Sequence, residues 1–129
     1  MSVITVLGRA LLGGIFVHGG LNQLKSPGAV AKPLDAARDR YGLAYLPVES
    51  EDLVTFNGAA MVAGGTAMAL GILPRVAATG LALSLVPTTL VGHPFWDADN
   101  DADRRRHQTS FWSNMSVLGG LLIEASRKR

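Results

Sequence analysis

Between Asp52 and His93 the sequence carries one ionisable side chain, Arg75. A helix that lies on a soluble core needs a polar face along its whole length, and forty residues with so little charge offer none. The averages of 48% hydrophobic and 17% charged residues hide this, because the charges are bunched. Lipid is the solvent that such a distribution fits.

Four apolar segments stand out, at residues 3–21, 53–73, 76–92 and 109–125. As helices they rise about 1.5 Å per residue and span roughly 25 to 31 Å, close to a hydrocarbon core of about 30 Å. The segments are rich in Gly and Ala, as in GAAMVAGGTAMALG and ATGLALS. Small residues let membrane helices approach closely, where no hydrophobic effect drives them together. A soluble bundle is set aside, since roughly 75 residues of apolar helix would have too little polar chain to cover them. The expected fold is all-α, an integral membrane four-helix bundle that forms one domain over residues 1–129.

The first segment, MSVITVLGRALLGGIFVHGG, has no basic leader and holds Arg9 inside its apolar run, so it reads as an uncleaved helix. The turn GILPR, residues 71–75, is short enough to make the second and third helices antiparallel neighbours, with Pro74 as the breaker. Four spans then put both termini and GILPR on one membrane side, and the stretches 22–52 and 93–108 on the other. Within the first of these, SPGAVAKPLDAARDRYG reads as a short helix along the interface, from Ser26 and Pro27 to Gly42. Tyr41 and Tyr45 suit the headgroup layer. Arg75 and the RKR tail place the termini in the cytoplasm of a multi-pass cell-membrane protein.

Arg9 lies about 9 Å inside the first helix, where an arginine must snorkel or find a partner. Glu124 reaches the same side from the fourth helix and is the candidate partner. Arg9, Gly13, Phe16 and Gly20 form one stripe, which points Arg9 inward with the packing glycines.

Five hydrogen-bonding side chains gather at the opposite face: His18, Asn57, His93, His107 and Asn114. His107, Phe111, Asn114 and Leu118 share a stripe of the last helix that can face the bundle interior. Together they predict a polar site roofed by aromatics. The plainer readings stand beside it. His93 and His107 also fit as interfacial residues at helix ends, Asn114 as a helix cross-link, and Phe95, Trp96, Phe111 and Trp112 as an aromatic belt.

Several chemistries are excluded. The chain has no cysteine, so it has no thiol relay, thiolate-held iron–sulfur cluster or covalently attached haem. Asp97, Asp99 and Asp101 imitate a calcium loop, but Ala102 stands where its turn needs Gly and Gln108 where a bidentate Glu belongs, so no metal is expected. The glycines of GRALLGG lie in a membrane helix and not in a phosphate-cradling loop. The net charge of +2 reads as membrane-flank charge and not as a nucleic-acid face.

The order and spacing of GRALLGGIFVHGGLNQLKSP, RYGLAYLP, MALGILPRVAATGLAL, GHPFW and SFWSNMSVLGGLL resemble the DoxX family of small four-helix membrane proteins. The matching residues are Arg9, Phe16, Gly20, Lys25, Gly71, Arg75, His93, Phe95, Trp96, Asn114, Gly119 and Gly120. Asn57 departs from the family pattern, which commonly has an acidic residue nearby. The resemblance implies a membrane redox role, as in the small subunit of a thiosulfate:quinone oxidoreductase or in complexes that hold oxidative-stress enzymes at the membrane. The cofactor it implies is a quinone. His93, His107 and Asn114 would then meet the carbonyls, and Phe111 and Trp112 would form the walls.

Three functions follow as expectations: a quinone-binding redox protein with a soluble or membrane partner, a non-catalytic scaffold that docks a soluble partner through residues 93–108, and a small-molecule transporter. The transporter fits least, for the chain shows neither an inverted repeat nor a broken helix pair.

Overall fold

The computed structural model describes residues 2–93 and 95–127; Pro94 and the Lys128 and Arg129 end of the basic tail lie outside them, as does the side chain of Asp97. Among the described residues the chain is all-helical. Helix α1 spans Val3–Lys25, and Ser2 Oγ caps it by accepting the Thr5 N–H at 3.1 Å. It runs four residues past the expected end, because Asn22 to Lys25 tolerate helix and the stop comes from Pro27, which disfavours helical geometry at Ser26. That extension places Gln23 on the buried stripe with Arg9, Gly13, Phe16 and Gly20.

Pro27 occupies the first turn of α2, Pro27–Arg40, where its missing N–H costs nothing. The following segment is tied back to it by one side chain. Arg38 donates to the carbonyls of Leu46 and Val48 at 2.8 and 2.7 Å and to Ser50 Oγ at 2.9 Å. Ser50 starts α3, Ser50–Leu70, with Glu51 and Asp52 set favourably at its positive end. Gly71 ends α3 in the left-handed region at φ 74°, and the Ile72 N–H bonds back to the Ala67 carbonyl at 2.8 Å. Helix α4, Pro74–Gly92, follows at once as the antiparallel neighbour.

Helix α5, Asp101–Ser126, begins eight residues before the expected segment at 109. Asn100 supplies the reason, since its Oδ1 accepts the Asp103 N–H at 2.8 Å and Asp101 and Asp103 sit against the helix's positive end. The expectation that residues 93–108 all connect the last two apolar segments is therefore corrected. Residues 101–108 are the first two turns of a helix, and the true connection holds a short 3-10 turn at Phe95–Asp97.

Packing pairs α1 with α3, α3 with α4, α4 with α5 and, more lightly, α5 with α1, while α2 rests on the loop-side ends of α1, α3 and α4. The α1–α3 contact is backbone on backbone. A Cβ on Gly20 would stand 2.6 Å from the Gly58 carbonyl oxygen, and one on Gly65 would stand 2.6 Å from that of Gly13. Around these contacts Phe16, Met61, Met68, Leu81, Leu85 and Leu121 form the apolar centre.

The polarity of the molecule is inverted relative to a water-soluble bundle. Arg9, Gln23, Ser50, Thr89 and Glu124 are buried, while Val3, Ile4, Leu11, Phe56, Val76, Leu83 and Ile123 stand exposed. Three helices, α1, α3 and α4, are long and apolar enough to cross a membrane. At 26 residues α5 has the length as well, but five charged residues crowd its first two turns.

Candidate functional site

The loop-side half of the bundle holds two layers of polar contacts. The inner layer joins three helices: Ser84 Oγ of α4 donates to Asn57 Oδ1 of α3 at 2.6 Å, and Asn57 Nδ2 donates to Gln23 Oε1 of α1 at 3.1 Å. Next to it, Asn114 Nδ2 of α5 donates to Thr89 Oγ1 of α4 at 3.0 Å, and Thr89 in turn donates to the Leu85 carbonyl at 2.7 Å. Gln23, Ser84 and Thr89 were not among the residues singled out from sequence. Gln23 sits beyond the apolar run that marks the first helix. Serine and threonine in a membrane helix commonly bond their own backbone four residues back, so neither signals a site by itself.

Above these lies the histidine pair. His93 follows the last turn of α4, its N–H bonded to the Thr89 carbonyl at 2.9 Å, and its ring centroid stands 5.8 Å from that of His107 in the second turn of α5. The His93 Nδ1 is shut off from solvent and has no hydrogen-bond partner among the described residues. Burial, and secondarily the neighbouring His107, hold the His93 pKa below the ordinary histidine value of 6.5, which keeps its imidazole neutral at pH 7. Beside the pair, Phe95, Trp96 and Phe111 meet edge to face, with Phe111 5.2 Å from Phe95 and 6.4 Å from Trp96.

Four of the expected residues are placed as follows. Trp112 is 66% exposed on the outer surface of α5, because it lies two residues, about 200° of helix, from Asn114. His18 also points outward, two residues from both Phe16 and Gly20 on the buried stripe, with Asn22 Nδ2 3.4 Å from its Nε2. Asn114 faces the interior but is engaged with Thr89, so it links α4 to α5. Asn57 is half-buried and is the hub of the inner layer.

At the opposite end Arg9 Nε donates to Glu124 Oε1, and Arg127 lies 3.5 Å from the other carboxylate oxygen. A groove of about 860 Å³ opens beside this cluster, between the start of α4 and the last turn of α5.

The family model described as DoxX matches residues 4–94, which take in α1 to α4 and leave α5 outside. No curated protein and no solved structure gave a match. On a match that runs from the first turn of α1 to the end of α4, the chain belongs to the DoxX family.

Proposed function

We propose that this chain is a multi-pass protein of the cell membrane in which α1, α3, α4 and α5 all cross the bilayer, and that it serves a redox system by holding a quinone headgroup at the loop-side face against His93 and His107. The termini lie in the cytoplasm and α2 lies along the interface, with Tyr41 and Tyr45 exposed towards the headgroups.

The observation that carries this reading is the orphaned His93 Nδ1 beside the His107 ring. A buried polar atom without a partner costs free energy unless something outside the chain satisfies it, and a neutral imidazole can donate to a carbonyl or accept from a hydroxyl. A quinone, when bound, would bring both oxygen chemistries and the capacity to carry electrons, which no cysteine here can share. Phe95 and Phe111 give its ring apolar walls, and Asn114 holds α5 in register with α4 beneath it.

The reading is tested by extracting the protein in mild detergent and measuring co-purified quinone by mass spectrometry. His93→Leu and His107→Leu each remove a donor, and each should lower occupancy between five- and a hundredfold, the equivalent of about 1 to 3 kcal/mol. Asp99→Asn with Asp101→Asn should leave occupancy unchanged. Equal losses from both sets, or none from the histidines, would place the site elsewhere.

One observation favours a second reading, the docking of a soluble partner. The first two turns of α5 form an exposed, preformed helical handle, in which Arg106 pairs with Asp103 at 2.6 Å and Arg104 with Asp101 at 3.8 Å. Under that reading the paired aspartate substitutions release the partner and leave quinone in place.

A further inference from the structure

The groove at the terminal end combines two surfaces that a water-soluble ligand would not need together. Its walls on α4 are apolar and open to the surroundings, with Leu73 62%, Val76 67% and Leu83 72% exposed. Its mouth is cationic: Arg9, Arg75 and Arg127 line it, with Glu124 beneath, held by Arg9 and within 3.5 Å of Arg127. Arg75 is held across the gap between two helices, its Nε donating to the Ala125 carbonyl of α5 at 3.3 Å. Arg127 is steadied from the other side by Glu124 at 3.5 Å and by Thr5 Oγ1 at 3.4 Å. Two exposed guanidinium groups therefore flank the mouth at the level where α4 begins.

Gly80 adds the third element. It lies on the groove floor between Val76 and Leu83, and a Cβ built there meets nothing within 4 Å. The trough along α4 is thus open for two helical turns, about 10 Å, directly below the charged mouth.

We infer that this groove binds an acidic phospholipid, its phosphate held between Arg75 and Arg127 and one acyl chain laid along Val76, Gly80 and Leu83. The inference rests on α4 and α5 crossing the bilayer but is independent of a quinone at the other end. Charge complementarity selects the occupant. A neutral lipid would gain from the trough alone, whereas an anionic headgroup also meets the exposed guanidinium groups of Arg75, bonded here to a backbone carbonyl, and of Arg127.

The test uses the full-length protein in nanodiscs made of equal parts phosphatidylglycerol and phosphatidylcholine, followed by release into mild detergent and native mass spectrometry. The wild type should retain phosphatidylglycerol over phosphatidylcholine by about tenfold or more, since each surface cation near an anionic headgroup is worth a several-fold gain. Arg75→Gln with Arg127→Gln should abolish that preference. Gly80→Leu should displace the retained lipid while every charge stays in place. Arg104→Gln with Arg106→Gln, at the far end, should change neither. Equal retention of both lipids by the wild type, or a Gly80→Leu protein that keeps its phosphatidylglycerol, would overturn the inference. Carbonate washing tells the two levels apart: protein that resists it yet shows no preference fails on the groove, and protein that washes off fails on the crossing itself.

Discussion

Arg9 Nε donates to Glu124 Oε1 across 115 residues of sequence, so one ion pair fastens the first helix to the last. Both side chains are about nine-tenths buried. Removing one partner strips a buried charge of its close counter-charge, which costs about 3 kcal/mol in comparable pairs, whereas replacing both with apolar groups is often close to neutral. Arg9→Leu should therefore lower the melting temperature in detergent by roughly 10 °C without impairing insertion, and Glu124→Leu should do the same. The double substitution should recover most of the loss. An Arg9→Leu protein that melts like the wild type would show that the pair contributes nothing.

The glycine contacts between α1 and α3 predict a sharp positional contrast. Gly20→Val and Gly65→Val push a side chain onto backbone that cannot yield, so α1 and α3 must separate, at a cost of about 2 kcal/mol or more. Gly14→Ala meets nothing within 4 Å and should be neutral or slightly stabilising. Thermal melts of the three variants check this, and equal tolerance at Gly14 and Gly20 would contradict the close approach.

The four crossings proposed above would bring the two ends of the chain to the same side. Reporter tags at the N- and C-terminus should give the same accessibility to a membrane-impermeant probe, and a tag between Tyr41 and Val48 the opposite one. Tags on opposite sides at the two ends would mean that α5 does not cross.

His93 sets a direction for pH dependence. Its folded pKa lies below the unfolded value of 6.5, so near pH 7.5 the group is neutral in both states and contributes nothing. As the pH falls through 6.5 the unfolded chain takes up a proton that the folded one refuses, and stability declines until the folded pKa is passed. The melting temperature should fall between pH 7 and 5, and His93→Gln should flatten that part of the profile. His107→Gln should soften it, since the neighbouring ring is the lesser cause of the shift.

Much of this was legible because lipid imposes simple rules. The span of α4 and the GILPR turn follow from hydropathy and one proline, and the Arg9 stripe follows from helical spacing together with the cost of a lone charge in hydrocarbon. What escaped was whatever hydropathy does not record. The start of α5 at Asp101 depends on an Asn100 cap in a region that reads as loop by charge alone. The outward turn of Trp112 is a matter of two residues of helical phase, which an aromatic beside Phe111 conceals. The Gln23, Asn57 and Ser84 network depends on how three helices are rotated against each other, and no single segment encodes that.

The contrast between the two kinds of helix contact bears on how the protein is made. Helices α1 and α3 meet through bare backbone, a fit that is complete once α3 has been made. Helix α5 is the least apolar of the four long helices and is joined to the others by Glu124 and Asn114, each of which needs a partner on a helix synthesised earlier. Alone in hydrocarbon, those two side chains would be a penalty; beside Arg9 and Thr89 they become an anchor. In the proposed four-span arrangement, α5, which is made after the other three, would find its place by docking onto a receptor that they have already built.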